Sequence, residues 1–104
     1  MGINAKIALR VDDKDNVATV FANGVKQGDA IEVRDKRGGS ETITACSNIP
    51  FGHKIAVSDI GKGQLIMKYG ERIGIASVDI SRGDYVHIHN LEAVRGRGDL
   101  KGEN

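Results

Sequence analysis

Apolar and polar residues alternate along this chain in short runs, and no apolar run keeps a helical period beyond about two turns. Ile7, Leu9 and Val11 share one face of a first strand, which ends in the polar turn Asp12-Asp13-Lys14-Asp15-Asn16. Val17 to Phe21 reads as the returning strand, closed by Asn23-Gly24, a strong hairpin signal. Further strands are expected from Ile31 to Arg34, Thr42 to Cys46, Lys54 to Val57, Leu65 to Lys68 and Tyr85 to His89. Turn clusters separate them at 35–40, 48–52 and 61–63. Ser58 to Gly61 has room for a short helix or a 3₁₀ turn.

A pattern of apolar-x-x-Gly-x-x-apolar occurs four times: Val25, Gly28, Ile31; Ile49, Gly52, Ile55; Ile60, Gly63, Ile66; and Ile80, Gly83, Val86. Its physical reading is a tight turn whose glycine takes positive φ and which enters a strand with its first apolar side chain inward. The copies are too unevenly spaced for a solenoid. They predict a compact all-β domain of sharp reversals.

Composition sharpens this reading. Ile and Val number 21 against four Leu, a β-branched excess that favours strands. There are 14 glycines and one proline in 104 residues, which is one domain's length. Four aromatic residues and no Trp leave an aliphatic core. Lys and Arg total 15 and Asp and Glu 14, interleaved along the chain, so neither nucleic acid nor a membrane is an expected partner. No apolar run is long enough to span a bilayer, and the single Cys46 forms no internal disulfide, so the expected compartment is the cytosol.

Candidate chemistry gathers late in the chain. His87 and His89 lie two apart in an expected strand, so both project from one face together with Tyr85, while Val86 and Ile88 are expected to point into the core. Two imidazoles so placed suit a metal, or a metal and a substrate; a solvated strand face shows the same pattern. His53, in a turn, is a candidate acid or base. Asn90, Glu92, Arg95 and Arg97 follow closely, and Arg suits carboxylate while Asn and Glu suit hydroxyls. A charged, frayed tail has the same composition. Lys68 is a further carboxylate partner or base, or else an edge-strand lysine. Cys46 reads as a buried small apolar residue.

Ile49-Pro50-Phe51-Gly52-His53-Lys54-Ile55-Ala56, Lys68-Tyr69-Gly70, Ile73-Gly74-Ile75-Ala76 and Gly83-Asp84-Tyr85-Val86-His87-Ile88-His89-Asn90 stand in that order. Together with Asp15-Asn16-Val17-Ala18 and Arg95-Gly96-Arg97-Gly98-Asp99, they resemble the small subunit, or N-terminal domain, of altronate and galactarate dehydratases. The small subunit of sulfolactate sulfo-lyase shares the pattern. The resemblance implies a β-clip domain of the SAF type over residues 1–90, with 91–104 as a polar flexible tail. It implies dehydration of a sugar acid to a 2-keto-3-deoxy acid, with a divalent metal: ferrous iron first, manganese or magnesium as alternatives. His53, His87 and His89 become the candidate catalytic residues, His87 and His89 also the metal contacts, and Lys68, Asn90, Glu92, Arg95 and Arg97 the substrate contacts. The implied partners are a separately encoded large dehydratase subunit and the sugar acid, with homo-oligomerisation left open. A non-catalytic SAF-type binding module is the alternative from a different class.

Overall fold

A computed structural model describes residues 6–93. Its elements are β1 (Lys6–Arg10), β2 (Val17–Val20), β3 (Ala30–Asp35), β4 (Ser40–Thr44), β5 (Lys54–Ala56), β6 (Leu65–Lys68), β7 (Glu71–Ala76), β8 (Tyr85–Val86) and β9 (Leu91–Ala93). There is no helix among the described residues, so the all-β expectation holds and the 58–61 segment is an extended turn. Six strands form one sheet in the order β4-β3-β1-β2-β5-β8, and three form a second in the order β6-β7-β9.

The larger sheet curls. Its far edges meet where the Cys46 amide donates to Gly83 O at 2.8 Å and Arg82 pairs with Glu41 at 2.7 Å. Inside the curl lies an aliphatic core that includes Ala8, Ala18, Val20, Ile31, Ile43, Ile49 and Ile55. The smaller sheet covers the outer face of β2, β5 and β8 and closes a second core of Val17, Ala56, Ile60, Ile66, Ala76, Ile80 and Val86. β2 and β5 are thus lined on both faces, which explains their near-continuous apolar runs.

The four glycine turns form as read. Gly28, Gly52, Gly63 and Gly83 have φ of +95°, +84°, +88° and +97°. Both flanking apolar positions are buried in every copy. The copies also pair, through isolated bridges joining Val25 to Ile49 and Ile60 to Ile80.

Several local expectations are corrected. Ala8, not Ile7 or Leu9, enters the core, and Leu9 is 41% exposed. Asn23-Gly24 does not close a hairpin, because β3 runs parallel to β1 and the chain must cross over to reach it. Leu91–Ala93, read as the start of the tail, forms β9 against β7. That pairing depends on Gly74, where a Cβ would lie 2.5 Å from Glu92 O. The rest of the tail, with Arg95 and Arg97, lies outside the described residues. Cys46 is exposed rather than buried, with its Sγ 3.4 Å from Arg82 O.

Gly83 and Gly24 separate two costs of adding a methyl group. A Cβ on Gly83 would lie 2.3 Å from Thr44 O, whereas one on Gly24 meets nothing within 4 Å. In urea melts, Gly83→Ala is expected to lose at least about 3 kcal/mol and Gly24→Ala about 1 kcal/mol. Equal losses would mean that the seam of the curled sheet is not closely packed.

Candidate functional site

Three strands of the curled sheet finish side by side. β2 and β5 are antiparallel, and so are β5 and β8. The exit of β2, the entry of β5 and the exit of β8 therefore share one end of the sheet. That end carries Phe21, then Phe51-Gly52-His53, then His87-Ile88-His89.

The ladder between β5 and β8 sets Ile55 opposite Tyr85 and Lys54 opposite Val86. One step further, the same register sets His53 opposite His87, and their ring centroids are 4.9 Å apart. Tyr85 occupies the same face. Its hydroxyl hydrogen-bonds with His53 Nδ1 at 2.7 Å. Its ring stacks on His87 with centroids 5.6 Å apart and planes at 8°, and the His89 ring lies 5.5 Å away. All three histidines thus gather around one tyrosine. The sequence pattern gives Tyr85 a face but no role. Its position is set by cross-strand register to His53, 32 residues away, which local periodicity does not reveal.

The strand expected through His89 ends at Val86. Asn90 ends it. Its buried side chain accepts the His87 amide at 2.9 Å and donates to Tyr85 O at 2.9 Å. The Asn90 and Leu91 amides both reach His87 O, at 3.1 and 2.9 Å. Such side-chain bonds compete with a strand ladder, so the asparagine was itself the sign of a turn. His87 and His89 are therefore not strand mates, and Ile88 sits 81% exposed at the turn's tip instead of in the core. Asn90 acts here by fixing the turn that carries the histidines.

The four turns allow an internal comparison. The residue after the glycine is Asp29, His53, Gln64 and Asp84 in turn. Asp29, Gln64 and Asp84 each accept the amide three residues back, from Lys26 at 2.8 Å, Gly61 at 2.5 Å and Ser81 at 2.8 Å. In the second turn that donor position is Pro50, which has no N–H to cap. His53 is thereby released from the capping task, and its ring turns to Tyr85. A second set of caps crosses between paired turns. Asn48 receives the Gln27 amide, Asp79 that of Lys62 and Asp59 that of Arg82. The matching place for Phe51 is Gly24, which has no side chain to offer.

One positive group, Lys54, borders this end of the sheet, next to His87. Lys54 is half-buried, and burial pushes its amine below the ordinary value, with the charge of Lys68 adding to the effect. Lys68 lies with its Nζ 4.9 Å from the Tyr69 ring centroid. Neither lysine forms an ion pair with a described carboxylate. Desolvation holds the His87 imidazole below its ordinary 6.5, followed by the neighbouring charges of His53, Lys54 and His89. A neutral imidazole beside a lysine with no ion-pair partner among the described residues is a setting that an organic anion would relieve. A cleft of about 300 Å³ opens between Lys26, Asn48, Pro50 and Tyr85, and it touches the histidine cluster only through Tyr85.

The implied metal does not fit this arrangement alone. Among the described residues, no three His, Cys, Asp or Glu side chains converge as a ligand set. One ring nitrogen, His53 Nδ1, is already taken up by the Tyr85 hydroxyl. Glu92 lies on β9.

The fold and this face define a small all-β domain of the SAF type that presents a histidine-bearing end to its surroundings. Residues 6–94 match the family model described as the altronate/galactarate dehydratase SAF domain. The chain belongs to that family. It is 37% identical over 82 residues to altronate dehydratase of Escherichia coli (strain K12), a match covering 79% of this chain and 15% of the relative. Against altronate dehydratase of Bacillus subtilis (strain 168), identity is 35% over 87 residues, covering 84% and 16%. Against the (2R)-sulfolactate sulfo-lyase subunit alpha of Chromohalobacter salexigens, it is 32% over 88 residues, covering 81% and 90%. The chain thus spans about a sixth of the altronate dehydratases and nearly the whole of the sulfo-lyase subunit. The relatives are lyases.

The depressed His87 pKa has a definite sign for stability. Between the folded value and 6.5 the unfolded chain binds more protons, so this group's contribution is complete above 6.5 and is lost as pH falls below it. Ring-proton NMR should place the His87 titration below 6.5, and His53→Gln should move it part of the way back. A His87 titration at or above 6.5 contradicts the packed cluster.

Proposed function

We propose that this chain is the SAF-type component of a sugar-acid dehydratase of the altronate or galactarate type, working with a separate large dehydratase subunit. The observation that supports this most is the convergence of His53, His87 and His89 on Tyr85, at the end of the sheet where the turn caps have been given up. In this reading a base takes the α-proton of the sugar acid, the bond to the β-hydroxyl breaks, and an acid protonates the departing oxygen to release water. The enol left behind tautomerises to the 2-keto-3-deoxy acid. His53, polarised through Tyr85, is suited to one of the two proton transfers, while Lys54 and Lys68 favour the substrate carboxylate. The divalent metal implied by the resemblance, ferrous iron first, would draw its main ligands from the large subunit.

A second reading keeps the site and changes the leaving group. The sulfo-lyase subunit alpha is close to this chain in extent, since the match covers 90% of it. There sulfite, rather than water, would depart from sulfolactate.

The test assembles the chain with its large subunit and assays altronate, galactarate and sulfolactate, alongside metal content. The chain alone is expected to fold cooperatively and turn over none of them, since an open cleft this small encloses little of a substrate. In the complex, His53→Gln is expected to lower turnover at least about a hundredfold while barely moving the free domain's melt, in line with loss of a proton-transfer group. Full turnover by His53→Gln would remove it from the chemistry. Absence of activity on all three acids would favour a non-catalytic binding module.

A further inference from the structure

The end of the sheet that holds the histidines also carries apolar side chains that no described residue covers. Phe21 is 45% exposed, Phe51 54% and Ile88 81%. Phe21 and Phe51 meet edge to face, with centroids 5.9 Å apart. Ile88 stands between His87 and His89 on a turn fixed by the buried Asn90. Four hydrogen bonds hold this turn, so the exposure is built into it. The comparison among the four glycine turns says the same of Phe51. The corresponding residues Gln27, Lys62 and Arg82 each give their amide to a cap, whereas Phe51 occupies the turn from which caps are missing. Apolar anchors around a polar centre are how a specific protein interface is organised.

We propose that this face, with Phe51 and Ile88 as its anchors and Phe21 behind Phe51, is the surface on which the large catalytic subunit sits. The inference rests on the proposed function and adds the place of contact. Two observations choose this occupant over a second copy of the chain. The altronate dehydratases that the chain matches have about six-sevenths of their length outside the match, at 15% and 16% coverage. Lys54, whose charge acts on His87, borders this end of the sheet, and two copies brought together there would set like charges against each other. An acidic surface on a larger partner would not. Docking there also closes the histidine cluster from water, so that one surface binds the subunit and completes the site.

The test measures affinity of the full chain for the large subunit from the same genome by titration calorimetry. Each of Phe51→Asp and Ile88→Asp is expected to weaken binding at least about tenfold, and the pair at least about a hundredfold. Thr42→Asp, on the opposite edge strand β4, should leave it unchanged. All three positions are exposed, so melts of the free variants should match the wild type; if an Asp variant melts early, Phe51→Ser and Ile88→Ser take its place. Unchanged affinity in the double variant overturns the proposal, as does no binding by the wild-type chain. Sedimentation showing a wild-type dimer that Ile88→Asp splits would give the face to a second copy and overturn it as well. A complex that is lost on these substitutions but acts on none of the three acids would leave the docking surface standing and defeat the proposed function alone.

Discussion

The buried carboxylate of Asp15 is the contact on which the two-layer arrangement depends. It is 5% exposed and accepts the amides of Tyr69 and Gly70 at 2.9 and 2.8 Å, and that of Asp12 at 3.1 Å. Tyr69 and Gly70 both have positive φ, at 56° and 77°, so the hairpin between β6 and β7 is a tight left-handed turn. A tyrosine there is costly unless its surroundings hold it. Asn16 adds two bonds, donating to Leu65 O at 2.9 Å and accepting the Met67 amide at 2.8 Å beside a bulge in β6. Two adjacent residues of one turn thus pin the second sheet onto the first. Removing the carboxylate would leave inward-pointing amides unpaired, which is costlier than never having formed the bonds.

With the second sheet held, β5 and β8 are packed on both faces and become rigid. Such rigidity positions His53, Tyr85 and His87 to within a ladder register, so the site inherits its geometry from the cores. Alternation along the strands sorts the side chains. Ile55 and Tyr85 face the inner core, and Ala56 and Val86 the outer one. Just beyond the ladder no core remains to be filled, and the residues there are histidines, a phenylalanine and an isoleucine.

Much of this was legible in the sequence where the signal was local. The four glycine turns, the aliphatic cores and most strands follow from short patterns, because positive φ and inward apolar residues are nearest-neighbour demands. The parallel pairing of β1 with β3 was not, since Asn23-Gly24 looks the same in a hairpin and in a crossover. β7 carries Gly74 at its centre, which hides its alternation, and the reason for that glycine lies on β9. The histidines were found but placed on a strand that Asn90 ends early. Ile88, set in the core by alternation, proves to be the most exposed of the large apolar residues. The importance of His53 grew once the turns could be compared. Pro50 is the only proline in the chain, and only the bonding pattern of the other three turns shows what its missing N–H sets free.

In the proposed function, one end of the curled sheet, and no other described surface, is where this domain works. Amide hydrogen exchange on the free chain and on the chain bound to the proposed large subunit is the direct test. New protection is expected to be confined to residues 51–53 and 85–90, with β3 and β4 exchanging as before. Protection centred on β3 and β4, with the histidine turns unchanged, would contradict it.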